Sequence, residues 1–485
     1  MLDYCWVFVR LGLCLRPHRT MNRGEHPNDI SNYYIDFRIL YSNLDRSFRR
    51  RRLGLHDRVR MGARGRTLAE KDGGPLGQEH VILLVGYVFG FYMAWNIGAN
   101  DVANSMASAV GAKAITIRQA IFIAGILNVV GATFIGAHVT ETIRKGIVST
   151  DVLTDPDFAL LGAFSALLAA ALWVSFATWK SLPVSTTHSI VGAMIGFGVM
   201  AGGFSVIHWA KLGAVVASWI ISPVFSLIIG YLTFKVIVGL ILSRSPGLRF
   251  QRAIDLSPLF IGLACFVVVL SFLFKTPLGK SLSLRAPASL GIAVAAAGLL
   301  GWIGRQLLMR FVRDIDSGGE EEVFRRIQIG TSCYVALAQG ANDVANAIGP
   351  LAVIYFLVKT GSVGAKVPVP AFLLLFGGIG IACGIGMAGH RVMDTIGRKI
   401  TTLTNTRGFS VDFAAATTVL VASKLGLPVS TTHAAVGGVM GVGLARGIEA
   451  VNFRVIFQIM IYWVLTVPAA ALTSMVLFKI LLIIR

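Results

Sequence analysis

Apolar residues run through this chain in blocks close to the width of a bilayer core, separated by short polar clusters. The blocks fall at roughly 80–110, 119–139, 158–178, 189–204, 212–242, 257–274, 288–312, 327–356, 370–390, 412–424, 433–446 and 453–484. A helix needs about 20 apolar residues to cross the hydrocarbon core. Only helices or closed barrels satisfy every backbone N–H and C=O in lipid. The blocks are too long and too uniformly apolar for barrel strands, which alternate. The pattern predicts an all-α polytopic membrane protein with about 12 embedded helices.

Polar residues interrupt the blocks, and they do so twice in the same way. Gly-Ala-Asn-Asp-Val-Ala-Asn stands at Gly98–Asn104 and again at Gly340–Asn346, an offset of 242 residues (340 − 98). Leu-Pro-Val-Ser-Thr-Thr-His stands at Leu182–His188 and again at Leu427–His433, an offset of 245 (427 − 182). The chain is one unit written out two times. An ionisable residue at membrane depth is costly and marks a functional site by default. Two such sites at matching positions point to a transporter with internal repeats, broken helices and hairpins at mid-membrane.

The residue types suggest the chemistry. Asp101 and Asn104 lie three apart and share a helical face, which sets a carboxylate beside an amide oxygen. Gly98 just before them is expected to permit a helix break that frees backbone carbonyls. Hard cations such as sodium take oxygen ligands of this kind. Asn342, Asp343 and Asn346 repeat the arrangement after Gly340. Helix capping accounts for one polar residue at one site, not for three in each of two spans.

In the second string, Pro183 and Pro428 interrupt the apolar run. The Ser and Thr residues that follow suit a helix start. A helix N-terminus presents free N–H groups and partial positive charge to an anion. The adjoining hydroxyls add donors that can wrap a tetrahedral oxyanion. The candidate oxyanion ligands are Asp101, Ser185, Thr186, Thr187, Asp343, Ser430, Thr431 and Thr432. The candidate ligands for a coupling cation are Asp101, Asn104, Ser185, Asp343, Asn346 and Ser430, with sodium expected at Asp101, Asn104, Asp343 and Asn346. Asn100, Asn342, His188, His433, Glu141 and Asp412 are secondary candidates. The two imidazoles could carry protons or donate to an anion. Glu141 and Asp412 could serve proton coupling or gating, although charges at span ends need no function. Lys180 and Lys424 precede the hydroxyl strings; they could neutralise substrate, although snorkelling to the surface accounts for them better.

These groups pose a problem of sign. An oxyanion is repelled by two bare carboxylates, and cations or protons on the Asp residues remove that repulsion. Symport of a cation with an oxyanion follows as the expectation.

Composition narrows the class further. Charged residues make up only 14 % of the chain, against about 25 % in soluble domains. The mean hydropathy is +0.72. The net charge of +20 is spread over an Arg-rich N-terminal stretch and short loops. Such placement marks cytoplasmic loops, not nucleic-acid binding. Arg244, Arg249 and Arg252, then Arg305, Arg310, Arg313, Arg325 and Arg326, lie two spans apart and so share a side. With 158–204 taken as a pair of segments, five crossings separate the starts of the two Asn-Asp strings. An odd number makes the repeats inverted, with both sites meeting near the midplane. This topology leaves the N-terminus outside, against the positive-inside trend. The five cysteines lack Cys-x-x-Cys spacing and suggest neither metal nor redox chemistry. The expected organisation is an Arg-rich, disordered extension over 1–79, with Met61 an alternative start, a first repeat with connecting spans over 80–312, a short basic cytoplasmic loop at 313–326, and a second repeat over 327–485.

The paired strings resemble the signature of the inorganic phosphate transporter (PiT) family over about residues 80–485. The resemblance implies secondary active uptake of inorganic phosphate with sodium or protons, with Asp101, Asn104, Ser185, Thr186 and Thr187 joining Asp343, Asn346, Ser430, Thr431 and Thr432 around one central site. It implies no cofactor beyond the coupling ions. The short connection near 313–326 is closer to bacterial and plastid members than to animal ones. A multi-pass protein of the cell (plasma or inner) membrane is therefore expected, with a plastid inner envelope as the alternative and a homo-oligomer left open. A sulfate permease of the same family is the nearest competing reading. Sulfate, unlike phosphate, has no proton to donate to a carboxylate. An intramembrane phospholipid-handling enzyme would need a dense acidic metal cluster or a nucleophile–base pair. Gly279-Lys280-Ser281 lacks the context of a phosphate-binding loop, which argues against a pump.

Overall fold

The computed structural model describes residues 16–17, 33–34, 76–136, 156–275, 279, 282, 284–312, 319–360, 369–424 and 429–484. Among these residues thirteen α-helices follow one another: α1 (Leu76–Gly111), α2 (Ile117–Ile135), α3 (Pro156–Trp179), α4 (Thr186–Gly202), α5 (Trp209–Ile237), α6 (Pro246–Lys275), α7 (Ala286–Phe311), α8 (Gly319–Thr360), α9 (Ala371–Ala388), the five-residue α10 (His390–Asp394), α11 (Asn405–Lys424), α12 (Thr431–Arg446) and α13 (Phe453–Ile484). The chain forms two compact units, Met1–Val81 with Ile480–Arg485 and Ile82–Lys479. In the first, Arg16–Pro17 pairs antiparallel with Tyr33–Tyr34, and the turns at the outer ends of α1 and α13 complete what is described. The second is a body of helices.

Among the described residues, each expected apolar block overlaps a helix, several of which start 7–11 residues earlier. Among the described residues, nine helices are long and apolar enough to cross a membrane: α1, α2, α3, α5, α6, α7, α8, α9 and α13. The shorter α4 is also apolar. Large apolar side chains such as Phe122, Phe134, Phe457 and Val464 stand exposed on α2 and α13, as a lipid-facing surface requires. Helix α8 is the opposite case: 78 % of its most apolar window is buried, against 22 % for α7 and α13, so α8 lies at the centre of the body.

Local chemistry sets the helix ends. A capping box starts α2, with Thr116 N–H donating to Gln119 Oε1 at 2.9 Å and Gln119 N–H to Thr116 Oγ1 at 3.3 Å. Helix α8 begins eight residues before the expected block. Glu320, Glu321 and Glu322 occupy its first turn, where the helix dipole favours acids. Glu321 also accepts from Thr406 N–H (3.0 Å) and Thr406 Oγ1 (2.7 Å), holding the start of α11 beside that of α8. Buried Phe260, Phe324 and Phe409 meet at ring separations of 5.2–5.8 Å and fasten α6, α8 and α11 together.

The two sequence copies interleave. Gly192 and Gly196 of α4 lie against the backbones of Val467 and Ala471 on α13, while Gly437 and Gly441 of α12 lie against Pro223 and Leu227 on α5. The glycines are related by the 245-residue offset (437 − 192) and their partners by 244 (467 − 223). Matching positions therefore make matching contacts, each with the opposite half.

Candidate functional site

The hydroxyl strings are where the helices break. Helix α3 ends with Ser181 in the left-handed region, φ +58°, a conformation that closes helices and that glycine adopts most easily. The second copy carries Gly426 at the matching position. Residues Leu182–Val184 then run outside any helix, and their backbone polar groups are accounted for. Asn100 Oδ1 accepts from Val184 N–H at 3.0 Å, and Asn100 Nδ2 donates to Leu182 O at 3.0 Å and to Thr178 Oγ1 at 2.9 Å. Trp463 Nε1 donates to Pro183 O at 3.3 Å, and Thr432 Oγ1 to Val184 O at 3.2 Å. Ser185 then caps α4, accepting from His188 N–H at 3.2 Å, and Ser430 caps α12 by accepting from His433 N–H at the same distance.

The Asn-Asp strings bring no break. Helices α1 and α8 pass through Gly98 and Gly340 without interruption. The expectation of a helix break there is corrected, and with it the supply of freed carbonyls. The glycines serve close approach instead: a Cβ on Gly98 would collide with the Ile381 carbonyl of α9, and one on Gly340 with the Asn128 carbonyl of α2.

The four strings converge in one buried cluster. Thr186 Oγ1 donates to Asp101 Oδ2 at 2.6 Å. Asn346 Nδ2, from the other half, donates to Thr186 Oγ1 (3.2 Å) and Thr187 Oγ1 (3.3 Å). Symmetrically, Asn104 Nδ2 donates to Thr431 Oγ1 (3.1 Å) and Thr432 Oγ1 (3.0 Å). Asn342 Nδ2 donates to Asp343 Oδ1 at 3.0 Å. Both Asp residues are at most 1 % exposed, and Asn104 and Asn346 at most 6 %.

Four side-chain oxygens in this cluster are buried with no hydrogen-bond partner among the described residues: Asp101 Oδ1, Asn104 Oδ1, Asp343 Oδ2 and Asn346 Oδ1. Each repeat contributes one carboxylate and one amide oxygen, and all four are acceptors only in this arrangement. A buried polar atom left unpaired is expensive. A set of unpaired oxygens suits a hard cation that brings charge and no competing acceptors.

The secondary candidates separate. His188 and His433 stack edge-to-face at 4.4 Å, flanked by Trp219 and Trp463 at 3.7 Å on either side, so four rings form a column joining the halves. His433 Nδ1 lies 2.9 Å from Trp219 O. Pro223 lacks the N–H that would otherwise claim that carbonyl, so the imidazole donates to it. Asp412 is not the span-end charge its position suggested. It sits inside α11, 2 % exposed, and accepts from Ser108 (2.5 Å), Ser332 (2.5 Å) and Thr331 (3.4 Å). Asn342 remains beside Asp343. Lys180 is exposed and lies over the Trp179 ring at 4.2 Å. Glu141 and the Lys424 side chain lie outside the described residues. Sequence motifs did not single out Thr178, Trp219, Trp463 or the buried amides of Gln328 and Gln339. Aligning the two copies finds the paired tryptophans and the mismatch of Gln339 with Ile97.

Comparisons with known proteins agree on kinship. The family described as the phosphate transporter family matches residues 97–474. A protein named as a phosphate permease in Thermococcus kodakarensis is 52 % identical over 404 residues, covering 83 % of this chain and 98 % of that one. The chloroplastic inorganic phosphate transporter 2-1 of Arabidopsis thaliana is 41 % identical over 419 residues, covering 80 % of this chain and 70 % of that one. A solved structure of a sodium-dependent phosphate transporter superposes with a TM-score of 0.77 at 45 % identity, covering 84 % of this chain and all of that one. These relatives are transporters and permeases, not enzymes. By these matches and its apolar helices, the chain is an integral membrane protein of the phosphate transporter family.

Proposed function

We propose that the protein is a secondary symporter that carries inorganic phosphate across the cell membrane with sodium, through one central site built from both repeats in inverted orientation. The observation that carries this reading is the set of four unpaired, buried acceptor oxygens on Asp101, Asn104, Asp343 and Asn346. Sodium bound among them neutralises the carboxylates. The start of α4 and the start of α12 then offer N–H groups, helix-dipole charge and the hydroxyls of Thr186, Thr187, Thr431 and Thr432 to an oxyanion. Without the cation, the carboxylates repel phosphate, so the two solutes enter together. The sodium dependence named for the structural relative supports sodium over protons. The archaeal and bacterial relatives support a cell membrane.

Uptake of radiolabelled phosphate into liposomes, driven separately by sodium and proton gradients, tests the proposal. A sodium gradient is expected to drive accumulation. Asp101→Asn and Asp343→Asn each remove an interaction with a charged group worth about 1.5–3 kcal/mol, so uptake falls by roughly 10- to 100-fold. Insertion into the membrane is expected to be unchanged. Uptake indifferent to sodium, or full sodium-driven uptake by both variants, overturns the reading.

A further inference from the structure

The cluster is two-fold symmetric in its strings but not in its surroundings. Just before the second Asn-Asp string stands Gln339; at the matching position before the first, 242 residues earlier, stands Ile97. Gln339 is 1 % exposed, and neither its Oε1 nor its Nε2 has a hydrogen-bond partner among the described residues. Its side chain lines a crevice between α8 and α11 that also touches Asn104 and Thr431 of the central cluster. The crevice volume is about 20 Å³, room for about one water molecule. The rest of its wall is mostly apolar: Val335, Ala338, Ala415 and Val419. Tyr334 and Ala416 also line a larger cavity of about 400 Å³, whose wall includes Arg326. A primary amide with both ends unpaired is costly in such a wall unless something pairs with it.

We propose that Gln339 is a specificity-determining residue that contacts phosphate on the α8–α11 side of the central site, its amide N–H donating to a P–O oxygen and its amide oxygen accepting from a P–OH. This inference rests on the reading of the central cluster as the phosphate site. A carboxamide offers one donor and one acceptor side by side. Protonated phosphate presents the complementary pair, O–H beside P–O. Sulfate at neutral pH has no hydroxyl and leaves the amide oxygen unpaired. A site that hydrogen-bonds a substrate hydroxyl rejects an analogue lacking it, because its own buried group is then stranded. Ile97 offers nothing of the kind, so discrimination belongs to one side of the symmetric site.

The test uses the full chain in liposomes. Gln339→Leu removes both polar atoms at similar volume, and Gln339→Glu keeps an acceptor but adds negative charge. In Gln339→Leu, KM for phosphate is expected to rise about three- to tenfold, the effect of losing one or two neutral hydrogen bonds. Competition by sulfate becomes correspondingly stronger relative to phosphate, while the sodium concentration for half-maximal uptake stays within about twofold. In Gln339→Glu, uptake is expected to shift toward lower pH, where phosphate carries more protons. If Gln339→Leu melts early in detergent, the pH profile of Gln339→Glu decides. Wild-type KM and sulfate competition in Gln339→Leu, or a wild-type pH profile in Gln339→Glu, overturns the proposal. Asp101→Asn measured alongside separates the two readings. If it loses sodium-driven uptake while the Gln339 variants behave as wild type, this inference alone fails; if it retains full uptake, the central-site reading fails.

Discussion

Asn100 shows how a polar residue inside a membrane protein can act on its neighbours' backbone. Its amide satisfies Val184 N–H and Leu182 O, both in the segment that leads into α4, and the residue is fully buried. Asn100→Ala strands those two backbone groups, at about 1–3 kcal/mol each. The expected outcome is a lower melting temperature in detergent together with weaker phosphate uptake, because the start of α4 loses its hold. An unchanged melting temperature would show that the loop finds other partners. That Asp101 and Asn104 turn toward one buried cluster was legible in the sequence, because residues three apart share a helical face. The surroundings of Asp412 were not. Its partners Ser108, Thr331 and Ser332 come from α1 and α8, and no local spacing reports a contact between residues 80 and 304 positions apart.

At the level of the element, the hydroxyl strings were readable because Pro and Ser act locally: a missing N–H interrupts a helix and a side-chain oxygen starts the next. The glycines misled because Gly98 admits two readings, a hinge or a close contact, and only the neighbouring helix decides. Helix α9 crosses α1 so tightly that a Cβ on Gly98 would meet the Ile381 carbonyl, a backbone atom with no rotamer to yield. Gly98→Ala must push these helices apart at the site and is expected to cost about 1–3 kcal/mol, lowering thermal stability and uptake together. Gly298→Ala is the control, since open space surrounds that position on α7. Alanine there improves helix propensity by up to about 1 kcal/mol and should leave both measurements unchanged or raised. Equal losses in the two variants would remove close packing as the reason for Gly98.

For the whole molecule, duplication in the sequence says that two copies exist but not how they join. Two copies could each form a self-contained bundle meeting at a thin seam. The contacts found are different: α4 packs on α13, α12 on α5, Asn104 bonds Thr431 and Thr432, and Asn346 bonds Thr186 and Thr187. The ring column from Trp219 to Trp463 crosses between halves as well. Each half therefore leaves bare glycine faces and unpaired amides when the other is missing, and in lipid an unpaired polar group finds no water to replace its partner. Expressed alone, residues 1–312 and 313–485 should each be degraded or aggregate and transport nothing. Expressed together as separate chains, they should recover sodium-driven phosphate uptake, because the contacts depend on packing between helices rather than on the peptide that links α7 to α8. Co-purification through a tag on one fragment, with uptake measured on the purified pair, checks both statements. A first fragment that is stable and monodisperse by itself would mean that the copies are separate bundles and that the crossed contacts contribute little to the fold.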